Sequence, residues 1–287
     1  MSVRAVSLLL LVAVACVVLS CGGDRTAAAR RSGTIVWAVG DGGNGSDEAR
    51  TVEGVIARDH PSRVLYLGDV YERGTATDFR QRFETVYGPL AARIDPTPGN
   101  HDWPNHATGY DPYWRKVKGR AIAHHYAFSL AGWRMVSLNS ETPDDRAQLR
   151  FLRHQVKGRR CVLAFMHRPR FNAGLHHGEE RVVDKLWRTL RGRARLLLSG
   201  HDHNLQRFKR VDGTTQFVIG AGGRERYAVN GADPRLAYSN DGADGALRMQ
   251  LRPGVARLRI VRADGRTLDR STARCWAGRS ATAAARS

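Results

Sequence analysis

Residues 194–203 read ARLLLSGHDH, a run of large apolar residues that ends in a glycine followed by two imidazoles around a carboxylate. Four other stretches follow the same grammar: TIVWAVGD at 34–41, RVLYLGD at 63–69, RIDPTPGNHD at 93–102 and RCVLAFMH at 160–167. Each contains a short β-branched or large apolar run, as a strand buried on both faces requires, and each ends in residues able to bind a metal. Helical patterns lie between them. Residues 46–58 set Ala49, Val52, Val55 and Ile56 on one side; residues 143–157 open with Pro-Asp-Asp and bring Leu149, Leu152 and Val156 together. Residues 180–190 place Val182, Val183, Leu186, Trp187 and Leu190 on one face. Strands alternating with helices predict a layered α/β domain whose sheet is covered on both sides.

Around HHYAFSLAGWRMVSLNSE at 124–141 the pattern changes to two strands joined by a Gly-containing turn. NLQRFKRVDGTTQFVIGAGG, with Asp212-Gly213 at its tip, and GALRMQLRPGVARLRIVRADGRTLD near the C-terminus repeat that form, and the three hairpins predict a second sheet. The last residues, 276–287, are small, polar and aperiodic and read as a disordered tail.

With 287 residues and 42% hydrophobic composition, the chain can bury a substantial core. Arg4 followed by the apolar run AVSLLLLVAVACVVLS reads as an export signal over residues 1–21. Leu19-Ser20-Cys21-Gly22 resembles a bacterial lipobox, which makes Cys21 a candidate lipidation site, with a plain cleaved signal or an uncleaved anchor helix as alternatives. Residues 22–33 carry no apolar face and read as a tether, so the expected domain spans 34–275. In an exported chain the remaining pair, Cys161 and Cys275, is a candidate disulfide. The net charge of +19 raises nucleic-acid binding as an option, but only five of the 46 basic residues are Lys and the Arg residues are scattered. Such scatter lacks the clustered stripe of a phosphate-backbone binder, and no specific nucleic acid is expected.

In α/β sheets ligands collect beyond the C-terminal ends of strands, where loops converge. All five polar clusters sit there. Asp41, Asp69, Asn100, His167, His201 and His203 then project into one region, and their mixed oxygen and nitrogen donors suit Zn, Mn or Fe better than Ca. Six donors exceed what one tetrahedral ion needs, so two ions are expected. GDGGNG at 40–45 lacks the Lys and Ser/Thr of a P-loop, and its glycines are more simply read as letting the backbone pass close to a metal centre.

Taken together, GD at 40–41, LGD at 67–69, GNHD at 99–102, MH at 166–167 and GHDH at 200–203 resemble the calcineurin-like metallophosphoesterases, and within them the purple-acid-phosphatase-like branch. The resemblance spans about residues 34–262. It implies an α/β fold of two mixed β-sheets packed face to face, with helices on the outer faces, and a centre of two metal ions. It makes Asp69 the bridging carboxylate, gives Asp41 and His203 to the first ion, and gives Asn100, His167 and His201 to the second. His101 would face the substrate as the catalytic acid, and His176 or His177 would touch substrate. Purple enzymes place a metal-binding Tyr three residues after the bridging Asp; here Glu72 has that spacing and Tyr71 stands at two. Tyr71 is therefore assigned to the substrate side, with metal-facing and packing positions as alternatives.

The resulting expectation is an exported phosphoesterase, extracellular or at the cell surface, that hydrolyses phosphomonoesters by attack of a hydroxide held between two metals. Its partners would be a phosphate-ester substrate and, through a lipid on Cys21, a membrane. A phosphodiesterase acting on nucleotides, nucleic acid or phospholipid headgroups is the alternative.

Overall fold

The computed structural model describes residues 33–277. The export signal and Cys21, tether residues 22–32 and tail residues 278–287 lie outside the described residues. In chain order the strands are β1 (Thr34–Val39), β2 (Arg63–Tyr66), β3 (Ile94–Pro96), β4 (Tyr126–Leu130), β5 (Trp133–Ser137), β6 (Val162–Phe165) and β7 (Leu196–Ser199). They continue with β8 (Leu205–Phe208), β9 (Thr215–Ile219), β10 (Leu236–Asn240), β11 (Gly245–Arg252), β12 (Val255–Arg262) and β13 (Thr267–Arg274).

Two mixed sheets result, with strand orders β13-β12-β11-β1-β2-β3 and β10-β8-β9-β7-β6-β5-β4. In the first, β1, β2 and β3 run parallel and the C-terminal meander joins β1 antiparallel. In the second, β5, β6, β7 and β9 run parallel, with antiparallel strands outside them. The hairpins therefore do not make a sheet of their own. They are shared between two parallel centres, β4–β5 and β8–β9 in one sheet and β11–β13 in the other.

Side-chain parity builds the layers, because successive residues of a strand point to opposite faces. Val36 and Ala38 of β1, Leu163 and Phe165 of β6, and Leu196 and Leu198 of β7 share one core with Met249 and Leu258. Their neighbours face outward into two further cores. Trp37 and Val39 meet Val52 and Ile56 of the helix Asp47–Arg58, while Val162, Ala164 and Leu197 meet Leu152, Leu186, Trp187 and Leu190 of the helices Arg146–Val156 and Asp184–Leu190. The architecture is thus two facing sheets with helices on the outer faces. Ser46 caps the first of these helices, accepting a hydrogen bond from the Ala49 amide at 3.1 Å.

One expected core residue is outside. Val182 is 51% exposed, because the α-helix begins at Asp184 and the turn before it, Arg181–Val183, is 3₁₀, which breaks the 3.6-residue spacing. Cys161, just before β6, and Cys275, just after β13, form a disulfide that joins the two sheets across 114 residues of sequence. Beyond it, Trp276 is held in place: its indole N–H donates to the Arg193 carbonyl at 3.2 Å and the Arg195 guanidinium lies 4.1 Å from its ring centre. The folded part therefore reaches one residue past the boundary expected at 275. Among the described residues, no helix is long and apolar enough to cross a membrane.

Candidate metal centre

β1, β2, β3, β6 and β7 all deliver their next residues to one edge of the sandwich. Asp41 follows β1, Asp69 follows β2, Asn100 follows β3, His167 follows β6, and His201 and His203 follow β7. Asp41, Asp69 and His201 hold positive φ angles of 61°, 69° and 73°, a left-handed conformation uncommon for residues with a Cβ, which turns each side chain into the shared space. The loops touch closely enough to need glycine. A Cβ on Gly99 would stand 2.0 Å from Oδ1 of Asp69, and one on Gly200 would stand 2.6 Å from Oδ2 of Asp41. This close approach is the physical content of the Gly-before-ligand pattern.

The donor atoms fall into two sets. In one, Nε2 of His167 lies 2.9 Å from Oδ1 of Asn100, 3.1 Å from Nδ1 of His201 and 3.3 Å from Oδ2 of Asp69. In the other, the Tyr71 hydroxyl lies 3.0 Å from Oδ1 of Asp41 and 2.8 Å from Nε2 of His203, itself 3.7 Å from that carboxylate. Asp41, Asp69 and His167 are buried and place one ligand atom each within 4.8 Å of the others.

Tautomers are set from behind. Nδ1 of His167 donates to the Leu67 carbonyl at 2.8 Å, Nδ1 of His203 donates to the Glu225 carbonyl at 2.7 Å, and Nε2 of His201 donates to Glu180 at 3.0 Å. Each outer partner accepts the ring N–H and so holds the tautomer whose inward nitrogen carries the lone pair, as in metal-binding histidines. Arg168, whose NH1 lies 3.3 Å from Nε2 of His201, is tied to the same Glu180 oxygen at 3.1 Å and to Glu141.

Lone pairs of Asp69, Asn100, His167 and His201 thus face one another with too few protons to satisfy them, and that arrangement fits a cation. The electrostatics agree. Burial, with the Asp69 carboxylate adding to it, pushes Asp41 well above the carboxylate range. Burial opposes charge on His167, but the Asp69 carboxylate outweighs it and drives the ring up to about 10, a pull toward positive charge at this position. Burial, then the charge on His167, holds His201 far below its ordinary value, and burial takes His203 down to about 4.

The remaining sequence-read residues surround this core. His101 donates its Nδ1 proton to the Glu72 carbonyl at 2.6 Å, its Nε2 stands 3.9 Å from Oδ2 of Asp69, and its side chain is 35% exposed. Tyr71, read as a substrate-side residue, lies buried with its hydroxyl among the donors of Asp41 and His203; its ring meets His101 at 4.6 Å and carries the Arg224 guanidinium at 4.7 Å. His176 and His177 are exposed and lean over the centre, His177 stacked on His201 at 4.0 Å and His176 on Tyr227 at 3.9 Å. Tyr227 in turn stacks on His203 at 4.2 Å.

Sequence reasoning missed Tyr227, Glu180 and Asp102. Asp102 is buried, and its carboxylate accepts the backbone N–H groups of Asp69 at 2.9 Å, Val70 at 2.9 Å and Gly99 at 2.8 Å, stapling the second and third loops together. Burial and the nearby Asp69 charge push its pKa up to about 7. Its place as the last letter of GNHD was the one available signal.

The sequence model of the calcineurin-like phosphoesterase family matches residues 35–205, the span that contains all six expected ligands. No curated protein matches the chain. Among solved structures, GAP50, the anchor in the inner membrane complex of Plasmodium, superposes with a TM-score of 0.70 at 13% identity, over 86% of this chain and 90% of that one. The purple acid phosphatase PPD1 from yellow lupin seeds gives 0.69 at 14% identity over 83% of this chain and 53% of that one. A dimetal phosphatase from Danio rerio gives 0.60 at 14% identity over 84% and 98%. These likenesses are of fold. Matched by its family's model over the span that carries all six expected ligands, the chain belongs to the calcineurin-like phosphoesterases, hydrolases acting on phosphate esters.

Proposed function

We propose that the protein is an exported two-metal phosphomonoesterase of the purple-acid-phosphatase-like branch. The observation that carries this reading is the pair of donor sets, with lone pairs turned inward by Leu67, Glu225 and Glu180. Asp41, His203 and Asp69 would hold one ion, with the Tyr71 hydroxyl beside them, and Asn100, His167, His201 and Asp69 the other; Fe, Zn and Mn all suit these donors. Ions bound there supply a hydroxide nucleophile near neutral pH and offset charge on the phosphoryl oxygens.

The chain's own residues do the rest. His101 is fixed through Nδ1 on the Glu72 carbonyl, with Nε2 3.9 Å from Oδ2 of Asp69; as an imidazolium it would pass the Nε2 proton to the departing alkoxide and return to the neutral ring. His176 and His177, anchored by stacking on Tyr227 and His201, form a wall that contacts the ester's phosphoryl oxygens. Glu180, itself held by Arg168, keeps the His201 ring oriented.

The test is to strip the protein with chelator, reload it with Zn, Mn or Fe, and compare release of product from monoesters and diesters at one loading. Faster monoester hydrolysis is expected; faster diester hydrolysis assigns the site to nucleotides, nucleic acid or phospholipid headgroups, and no turnover with any metal overturns the reading. Export rests on the apolar run before Cys21. Fatty-acid labelling that is lost in Cys21→Ala is the expected result, and an unlabelled soluble chain contradicts the lipid anchor.

A further inference from the structure

His106, the last residue of TPGNHDWPNH, takes no part in the centre described above. Its ring stacks on Trp103, with centroids 4.0 Å and planes 7° apart, and meets His124 edge-on at 5.1 Å. Trp103 also supports His124, at 4.9 Å. The Asp111 amide donates to the His106 carbonyl at 2.8 Å, which seats Asp111, in the first turn of the helix Tyr110–Lys118, beside that residue. Oδ1 of Asp111 lies 2.8 Å from Nε2 of His124. Nδ1 of His106 donates to the Trp103 carbonyl at 2.6 Å, so its Nε2 keeps a lone pair. Ligand atoms of all three residues lie within 4.8 Å of one another, and the three side chains are half-buried.

We propose that His106, Asp111 and His124 form a second, separate divalent-cation site that takes zinc. Two imidazoles and a carboxylate are a borderline donor set, and three protein ligands leave one tetrahedral position for water. Zinc replaces the proton between His124 and Asp111 and draws in Nε2 of His106. The ion ties the segment before β4 to the helix Tyr110–Lys118. The indole of Trp103 restrains both rings in advance, as the packing behind the ligands does at metal sites.

Zinc is counted per chain by equilibrium dialysis and elemental analysis in the wild type, His106→Gln and His124→Gln, at free zinc that saturates the wild type. Each variant is expected to hold one equivalent fewer, with near-ultraviolet circular dichroism unchanged. In an Asp69→Asn background, which weakens the other centre, the extra equivalent persists and disappears when His124→Gln is added. Asp111→Asn gives the same count if a histidine variant fails to fold. Equal zinc content across wild type and variants overturns the proposal. So does a variant that lowers the melting temperature in chelator yet leaves the zinc count unaltered, since the cluster is then an ion pair only.

Discussion

Replacing Asp102 by Asn removes a single carboxylate oxygen, and the structure says what that costs. Oδ2 accepts from the amides of Asp69 and Gly99 at 2.9 and 2.8 Å, and Oδ1 accepts from Val70 at 2.9 Å. Asn has one acceptor oxygen. Turned to keep the first two bonds, it sets its NH₂ against the Val70 N–H and leaves a buried donor unpaired, at a cost of about 1–3 kcal/mol. For a domain of this size that lowers Tm by about 2–12 °C, at about 2–4 °C per kcal/mol. The second consequence is functional. Asp69 and Gly99 are the residues whose loops Asp102 joins, so a looser staple moves the Asp69 carboxylate, and metal affinity should fall by about 10–100-fold, as for other outer partners of metal ligands. Asp102→Ala, which abandons all three amides, should cost more in both respects. The assays are thermal denaturation in chelator and metal titration of the refolded protein. Unaltered Tm and unaltered metal affinity in Asp102→Asn would refute the argument that this carboxylate organises the centre.

Asp69→Asn should lose more metal than Asp41→Asn or His203→Ala, as elemental analysis of dialysed protein would show; equal losses remove the bridging assignment. His101→Ala should keep its metals and slow alkyl phosphates by about 10²–10⁴, with a smaller loss for nitrophenyl esters, whose leaving group needs little protonation. Equal slowing of both esters makes His101 a phosphoryl-oxygen ligand instead of an acid. Cys161→Ser should lower the stability of the protein by up to roughly 4–5 kcal/mol, measured by urea denaturation, because the bond closes a loop with 114 residues of sequence separation. An unchanged midpoint means the loop is already constrained by β6 and β13.

The ligands were legible because the same local event repeats: an apolar run and then a donor, with a glycine between them everywhere except at Met166-His167. Parity along β1, β6 and β7 fixes the layers, and each strand's end fixes where the donor emerges, so Asp41, Asp69, His167, His201 and His203 could be read one strand at a time. What was not legible depends on paths through space. Glu180 reaches His201 from the stretch before the helix Asp184–Leu190, Arg168 is one of many scattered Arg residues, and Tyr227 lies in a loop without periodicity between β9 and β10. The helical segment from Ala76 to Tyr87 also escaped notice, because a π-helical turn at Phe79–Phe83 interrupts the 3.6-residue spacing of its buried side chains. Tyr71 shows the limit of spacing arguments. Its count from Asp69 departs from the purple enzymes by one residue, yet the backbone carries its hydroxyl to Asp41 and His203.

The most direct test of the account is an anomalous-scattering map from crystals grown with Mn or Zn, read at the edge where β1, β2, β3, β6 and β7 end. The account predicts two strong peaks that share Asp69, one contacting Asp41 and His203 and the other Asn100, His167 and His201. A single peak there, or two that do not share Asp69, would contradict it.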